Sequence, residues 1–188
     1  MTELLQRPRA LELLHAHVQA ENMRRHCLAS EAVLRALARR FGEDEELWGI
    51  AGLLHDVDIE LTGADPKVHG IKGAEMLAAA GYPSALVEAV RLHNDKATGQ
   101  GRSERFHVAL AAGETLTGLI TATALVYPDK KLSSVKAKSV VKRMKEKAFA
   151  ASVDRAVILE CEKIGVPLPE FAELGLAAMQ GIAGELGL

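Results

Sequence analysis

Apolar residues recur at intervals of three and four along almost the whole chain, while sustained alternation of apolar and polar residues is hard to find. That periodicity argues against a sheet and predicts an all-α fold, a compact helical bundle. Leu4, Leu5, Leu11, Leu14 and Val18 trace a first helical region, with Pro8 at a helix start, where its missing N–H costs little. Residues 21–41 form a second helix, ended by Gly42. A third runs from Glu43 to Asp56, with Leu47, Ile50 and Leu54 on one stripe. Its acidic run, Glu43, Asp44, Glu45 and Glu46, sits at the positive end of the helix dipole. Two shorter helices over 70–80 and 84–94 are divided by Gly81, Tyr82 and Pro83, and the polar, glycine-containing 95–103 reads as a loop. The stretch from Glu104 to Tyr127 is the most apolar of the chain, is expected at the centre, and ends at Pro128. Past a lysine-rich segment, helices near 152–164 and 168–186 are separated by Gly165 and Pro167.

No internal repeat or low-complexity linker divides the 188 residues, so one domain over 1–188 is expected, enough chain to hide roughly 70% of its unfolded surface. A hydrophobic share of 48% excludes intrinsic disorder. The net charge of −2 argues against a dedicated nucleic-acid binder, as does the scarcity of aromatic residues around the basic stretch from Lys130 to Lys147. The N-terminus lacks an apolar leader core, and no run of about 18 uncharged apolar residues appears, so no membrane partner and a cytoplasmic location are expected. Cys27 and Cys161 each fall within a helical pattern and read as buried free thiols.

Against this background a few polar residues stand out. His26 shares a helical stripe with Ala29, Val33 and Leu37, so its imidazole points inward, where a polar ring needs a partner. His55 and Asp56 end an apolar helix and offer a nitrogen beside a carboxylate. His69 precedes a helix, His93 ends one, and Glu114 interrupts the most apolar helix between Gly113 and Thr115. Neutral imidazoles and carboxylates are what borderline divalent cations accept. Each residue also has an ordinary alternative, as a satisfied core group or a helix terminus. His15, His17 and His107 fit solvent-exposed or packing roles and are set aside. Gly113 and Gly118 each cost about 1 kcal/mol inside a helix, which suggests that a neighbour approaches closely there.

Taken together, Arg-His-Cys at 25–27, Leu-Leu-His-Asp-Val-Asp at 53–58, His-Gly-Ile-Lys-Gly-Ala-Glu at 69–75, Val-Arg-Leu-His-Asn at 90–94, Leu-Thr-Gly-Leu-Ile at 116–120 and Pro-Asp-Lys-Lys-Leu at 128–132 resemble the HD-domain metal-dependent phosphohydrolases, in particular small bacterial proteins with the HDIG variant. The resemblance implies an HD-domain bundle whose core ligands are His26, His55, Asp56 and, in the closing position, Glu114, with His69 and His93 as the extra histidines of two-metal members. It departs from the family pattern in two places: His-Asp-Val-Asp stands where His-Asp-Ile-Gly is usual, and glutamate where aspartate closes the site.

The implied cofactor is one or two divalent ions, of iron, manganese, zinc, cobalt, nickel or magnesium, and the implied chemistry is attack of metal-activated water on a phosphoester. On this reading Asp58 orients that water or accepts its proton, while Lys72 and Lys96 neutralise phosphate charge near the mouth. Lys142 and Arg143, with Lys138 and Ser139 beside them, help to hold an anionic substrate or partner, the alternative being a solvated basic face. The expected partner is a small phosphorylated molecule: a nucleotide, cyclic nucleotide or other phosphoester. A homodimer stays open. The competing function is a non-catalytic metal- or nucleotide-binding regulatory module, and a third reading is a purely structural helical protein whose histidines are merely buried.

Overall fold

The computed structural model describes residues 6–188, so Leu4 and Leu5 of the expected first helical region lie outside the described residues. Among the described residues there is no strand. α1 (Arg7–His17) carries Pro8 in its first turn. α2 (Glu21–Phe41) ends at Gly42, whose φ of 69° is the left-handed conformation that lets the N–H groups of Gly42 and Glu43 turn back onto carbonyls of the last turn. Asp44 caps α3 (Glu45–Leu54) by accepting from the Leu47 N–H, and the chain returns along α2. α4 (Ile71–Ala79) and α5 (Ser84–His93) form a second hairpin. The segment expected as a loop after α5 contains one helical turn, α6 (Asp95–Thr98), held by the Asn94 side chain.

α7 (Arg105–Leu125) is the hub, touched by α2, α3, α5 and the later helices. It is long and apolar enough to cross a membrane by length and composition alone, yet most of it is buried among its neighbours. Beyond it come a 3₁₀ turn (Leu132–Ser134) and α8 (Ala137–Arg143) in the lysine-rich segment. The helix expected near 152–164 starts only after Asp154, which caps it, and divides into α9 (Arg155–Leu159) and a 3₁₀ continuation (Glu160–Ile164). The last expected helix is likewise two pieces, α10 (Leu168–Gln180) and α11 (Ala183–Leu186), because Gly181 and Ile182 turn the chain between them.

Buried apolar side chains from most of these helices form one contiguous core that includes Leu14, Leu34, Leu37, Ile50, Leu54, Leu110, Leu116 and Phe171. Trp48 stacks on Phe106, with centroids 5.0 Å apart, and pins α3 to the start of α7. Cys27 and Cys161 are buried and free, as expected, and burial raises both thiols, that of Cys161 to about 12, so neither is reactive. His15 and His17 are exposed, and His107 packs at the start of α7.

Glycine governs the closest approaches. A Cβ on Gly113 would lie 2.9 Å from Leu34 Cδ2, which accounts for that glycine, whereas one on Gly118 would make only an ordinary 3.5 Å contact with Val153. Gly52 is tighter still, since a Cβ there would meet the Ser30 carbonyl oxygen at 2.7 Å and the Ser30 carbonyl carbon at 2.8 Å. These are backbone atoms of α2, so a methyl group forces the α2–α3 pair apart. Gly52→Ala is expected to cost about 1–3 kcal/mol in urea denaturation. Gly184→Ala, which meets nothing within 4 Å, is expected to leave stability unchanged or slightly raised.

Candidate metal centre

Six side chains from five segments converge where α2, α3, α5 and α7 meet. His26 Nε2 lies 3.2 Å from His55 Nε2 and 3.6 Å from both Asp56 Oδ2 and Glu114 Oε2. On the other side of Asp56, Oδ1 lies 3.0 Å from His69 Nε2, 3.3 Å from His55 Nε2 and 3.6 Å from His93 Nε2. His69 and His93 bring their Nε2 atoms within 3.2 Å of each other. The donors fall into two triads, His26, His55 and Glu114 on one side and Asp56, His69 and His93 on the other, with the Asp56 carboxylate facing both. All six metal ligands expected from the sequence therefore come together, Glu114 included: its extra methylene still brings Oε2 to the cluster.

The orientation of the rings decides what they can do. His55 and His93 sit in the last turns of α3 and α5, where terminal carbonyls have spare acceptor capacity. Each donates its Nδ1–H to the carbonyl three residues back, Gly52 at 2.8 Å and Val90 at 2.6 Å. His69 donates Nδ1–H to Asp58 Oδ1 at 2.7 Å. Thr117 spends its hydroxyl proton on the Glu114 carbonyl, so its oxygen accepts from His26 Nδ1–H at 3.0 Å. With every Nδ1 tethered, all four Nε2 atoms turn inward. Two Nε2 lone pairs 3.2 Å apart repel unless a proton or a cation lies between them. Donors about 2.0–2.1 Å from a shared cation, at octahedral or tetrahedral angles, stand about 2.8–3.4 Å apart, so the two Nε2 pairs at 3.2 Å suit a divalent ion, and the 3.6 Å pairs need only a small inward shift. The residues present fit the metal that the sequence implies.

Electrostatics point the same way. Burial lowers His55 to about 4, leaving a neutral ring with its lone pair free. Burial would lower His69 too, but hydrogen bonds to Asp56 and Asp58 raise it to about 10, a pull towards positive charge at Nε2 that a bound cation would answer in place of the proton. Burial would raise Asp56 and Glu114, yet the surrounding imidazoles hold Glu114 below the usual carboxylate range and Asp56 well below it.

Asp58 plays a different part from the one expected. It is fully buried; Oδ1 accepts from His69 Nδ1–H, and Oδ2 accepts from the N–H groups of Gly70, at 2.9 Å, and Gly73, at 2.8 Å. Gly70, the cap of α4, has no side chain, so Asp58 serves from a distance as its capping carboxylate. With both oxygens engaged in this way it positions His69 rather than water. Gly70 itself has φ 89°, and a Cβ there would meet His93 Cε1 at 3.0 Å, so only glycine fits.

The expected phosphate-binding residues divide. Lys96 lines a cavity of about 230 Å³ together with Asp56, His69, His93 and Glu114. Lys72 is exposed, pairs with Glu75 at 2.6 Å, and lines no cavity at the cluster. Lys142 and Arg143 line a separate cavity, so they are not brought to the metal site. A second opening, of about 270 Å³, reaches His26 and shares Glu114, Thr115 and Asp154 with the first.

Two supports lay beyond the sequence reading. The Asn94 amide donates to the carbonyls of Pro66 and His69, and the quoted motif around His93 ended on this residue. Arg102, whose side chain is 1% exposed, donates to the carbonyls of Leu92 and His93 and to both oxygens of Glu160. Within a polar loop, nothing in the sequence marked it.

A family model described as HD domain matches residues 23–144, from the first turn of α2 to the residue after α8. No significant match to the chain was found among curated proteins or among solved structures.

Asp58→Asn replaces an acceptor-only carboxylate with a group that cannot accept from the imidazole and both backbone N–H groups. In a metal titration an ion at His69 and His93 would be expected to bind about 10–100-fold more weakly, with any binding at His26 and His55 little changed. Equal affinities in the two proteins would contradict the positioning role.

Proposed function

Because the chain belongs to the HD-domain family, we propose that it is a metal-dependent phosphohydrolase acting on a small phosphorylated molecule, a nucleotide, cyclic nucleotide or other phosphoester. The observation that carries this reading is the Asp56 carboxylate standing between two histidine sets, all of them aimed by their Nδ1 tethers. His26, His55 and Glu114 would hold one divalent ion and His69 and His93 a second, with Asp56 serving both. Such ions, when bound, polarise a phosphoryl oxygen and bring the pKa of water from 15.7 towards about 7.

The chain's own contribution is position and charge. The tethered rings keep their donors fixed, so little reorganisation accompanies reaction. Lys96 lines the cavity beside His69 and His93, where its ammonium meets an incoming phosphate. The two openings adjoin at Glu114, Thr115 and Asp154, and each is smaller than the roughly 300–1,000 Å³ typical of sites that engulf a whole ligand. This favours a substrate that inserts its phosphoryl group and leaves its remainder at the mouth. No side chain here needs to act as a nucleophile.

The competing reading, a non-catalytic metal- or nucleotide-binding regulatory module, drew on the two departures from the family pattern. Neither removes a donor: Glu114 reaches the cluster, and Asp58, where glycine is usual, supports His69. The geometry therefore favours hydrolysis.

Loaded with manganese, iron, cobalt or zinc, the protein is expected to hydrolyse an aryl phosphate or a nucleotide, and His55→Ala and Asp56→Ala are each expected to abolish turnover. Activity surviving both substitutions overturns the assignment of this site. Tight phosphoester binding without turnover across a broad panel supports the regulatory module instead.

A further inference from the structure

The cavity that holds Lys142 and Arg143 measures about 320 Å³ and is also lined by Ser139, Thr123, Tyr127 and Pro128. It is well removed from the metal centre. Thr123 follows Glu114 by nine residues on α7, about 13 Å along the axis at 1.5 Å per residue and, at about 100° per residue, on the opposite face. The two cavities share no lining residue.

Its chemistry is one-sided. No carboxylate lines the cavity among the described residues. Lysine ion pairs among the described residues involve Lys72 and Lys163 and leave Lys142 free. Arg143 gives Nη1 to Glu146 and lies 4.3 Å above the centroid of the Phe149 ring, which fixes the guanidinium plane while Nε and Nη2 stay unengaged. Tyr127 Oη and Ser139 Oγ are 3.0 Å apart, so one hydroxyl proton is spent between them and the other can be donated outward. The wider surface has the same sign: residues 130–147 hold eight lysines and arginines against Glu146 alone, in a chain of net charge −2. The negative end of the α7 dipole, worth about half a charge, and Glu146 offset only part of this. The Tyr127 ring and Pro128 add an apolar wall.

The geometry points to a second anion site, separate from the metal centre, that takes a phosphomonoester with an apolar body. The phosphate sits on Lys142, Arg143 and the Ser139 hydroxyl, and the body rests against Tyr127 and Pro128. The dense basic stretch thus serves a ligand other than the one at the histidine cluster.

The test is a titration of the zinc-loaded full chain, followed by backbone amide NMR, with inorganic phosphate and with phenylphosphonate, whose carbon–phosphorus bond resists hydrolysis. Saturable shifts at Tyr127, Ser139 and Lys142, with phenylphosphonate binding the tighter, are expected. Lys142→Gln should weaken that binding roughly tenfold, the worth of one charge-assisted hydrogen bond, and Ser139→Asp should remove it, with zinc content unchanged in both. Shifts confined to residues around the metal cluster overturn the proposal. Equal affinity for the two probes overturns the phosphomonoester assignment in favour of free phosphate. Binding of heparin without either small probe overturns it in favour of an acidic macromolecule. Variants that lose stability while probe binding persists show that these cations merely serve the C-terminus of α7.

Discussion

Four hydrogen bonds from imidazole Nδ1 atoms are the constraint on which the metal centre depends. Two are local, to a carbonyl at the end of α3 and another at the end of α5, and two reach across the fold, to a buried aspartate and to a threonine hydroxyl on α7. Together they remove the freedom of every ring to turn its other nitrogen away. The inward nitrogens and the two carboxylates then form a set of donors that is unfavourable without positive charge among them, and the fold keeps it because α7 and its neighbours surround it. Burying the Asp56 carboxylate carries a penalty of several kcal/mol before its partners offset it, a cost that a purely structural bundle would avoid by placing apolar side chains there.

The supports of this arrangement lie one layer further out. Asp58 and Asn94 hold the turn that carries His69, and Arg102 holds the end of α5 that carries His93. Arg102 also ties that helix end to Glu160 at the junction after α9, so the later part of the chain, beyond the matched family region, braces the site. Asp154 and Val157, from the same later part, border the cavity itself.

The helical architecture was legible because its cause is local: the spacing of apolar residues and the glycine and proline breaks appear in the order in which they act. The six clustered residues were legible because each is a polar residue at a position where the helical pattern demands an apolar one, or at a helix end. What escaped was whatever depends on distant partners. Asp58, two residues past Asp56, looked like a group free to handle a proton, but its oxygens are taken by the start of α4, which only the fold brings near. Arg102 looked like an ordinary loop arginine because Glu160, the carboxylate that takes two of its nitrogens, stands 58 residues away. Lys142 and Arg143 were grouped with the substrate by charge and by the resemblance of their segment, and the turn of α7 that puts Thr123 on the face opposite Glu114 places them at a different cavity.

The most direct measurement is an anomalous-scattering map, at the absorption edge of the loaded metal, from crystals of the protein grown with manganese or zinc. The account predicts two peaks flanking the Asp56 carboxylate, one touching the Nε2 atoms of His26 and His55 and the other those of His69 and His93. An empty map at the cluster, or ions bound elsewhere while these imidazoles hydrogen-bond only to protein groups, would contradict it.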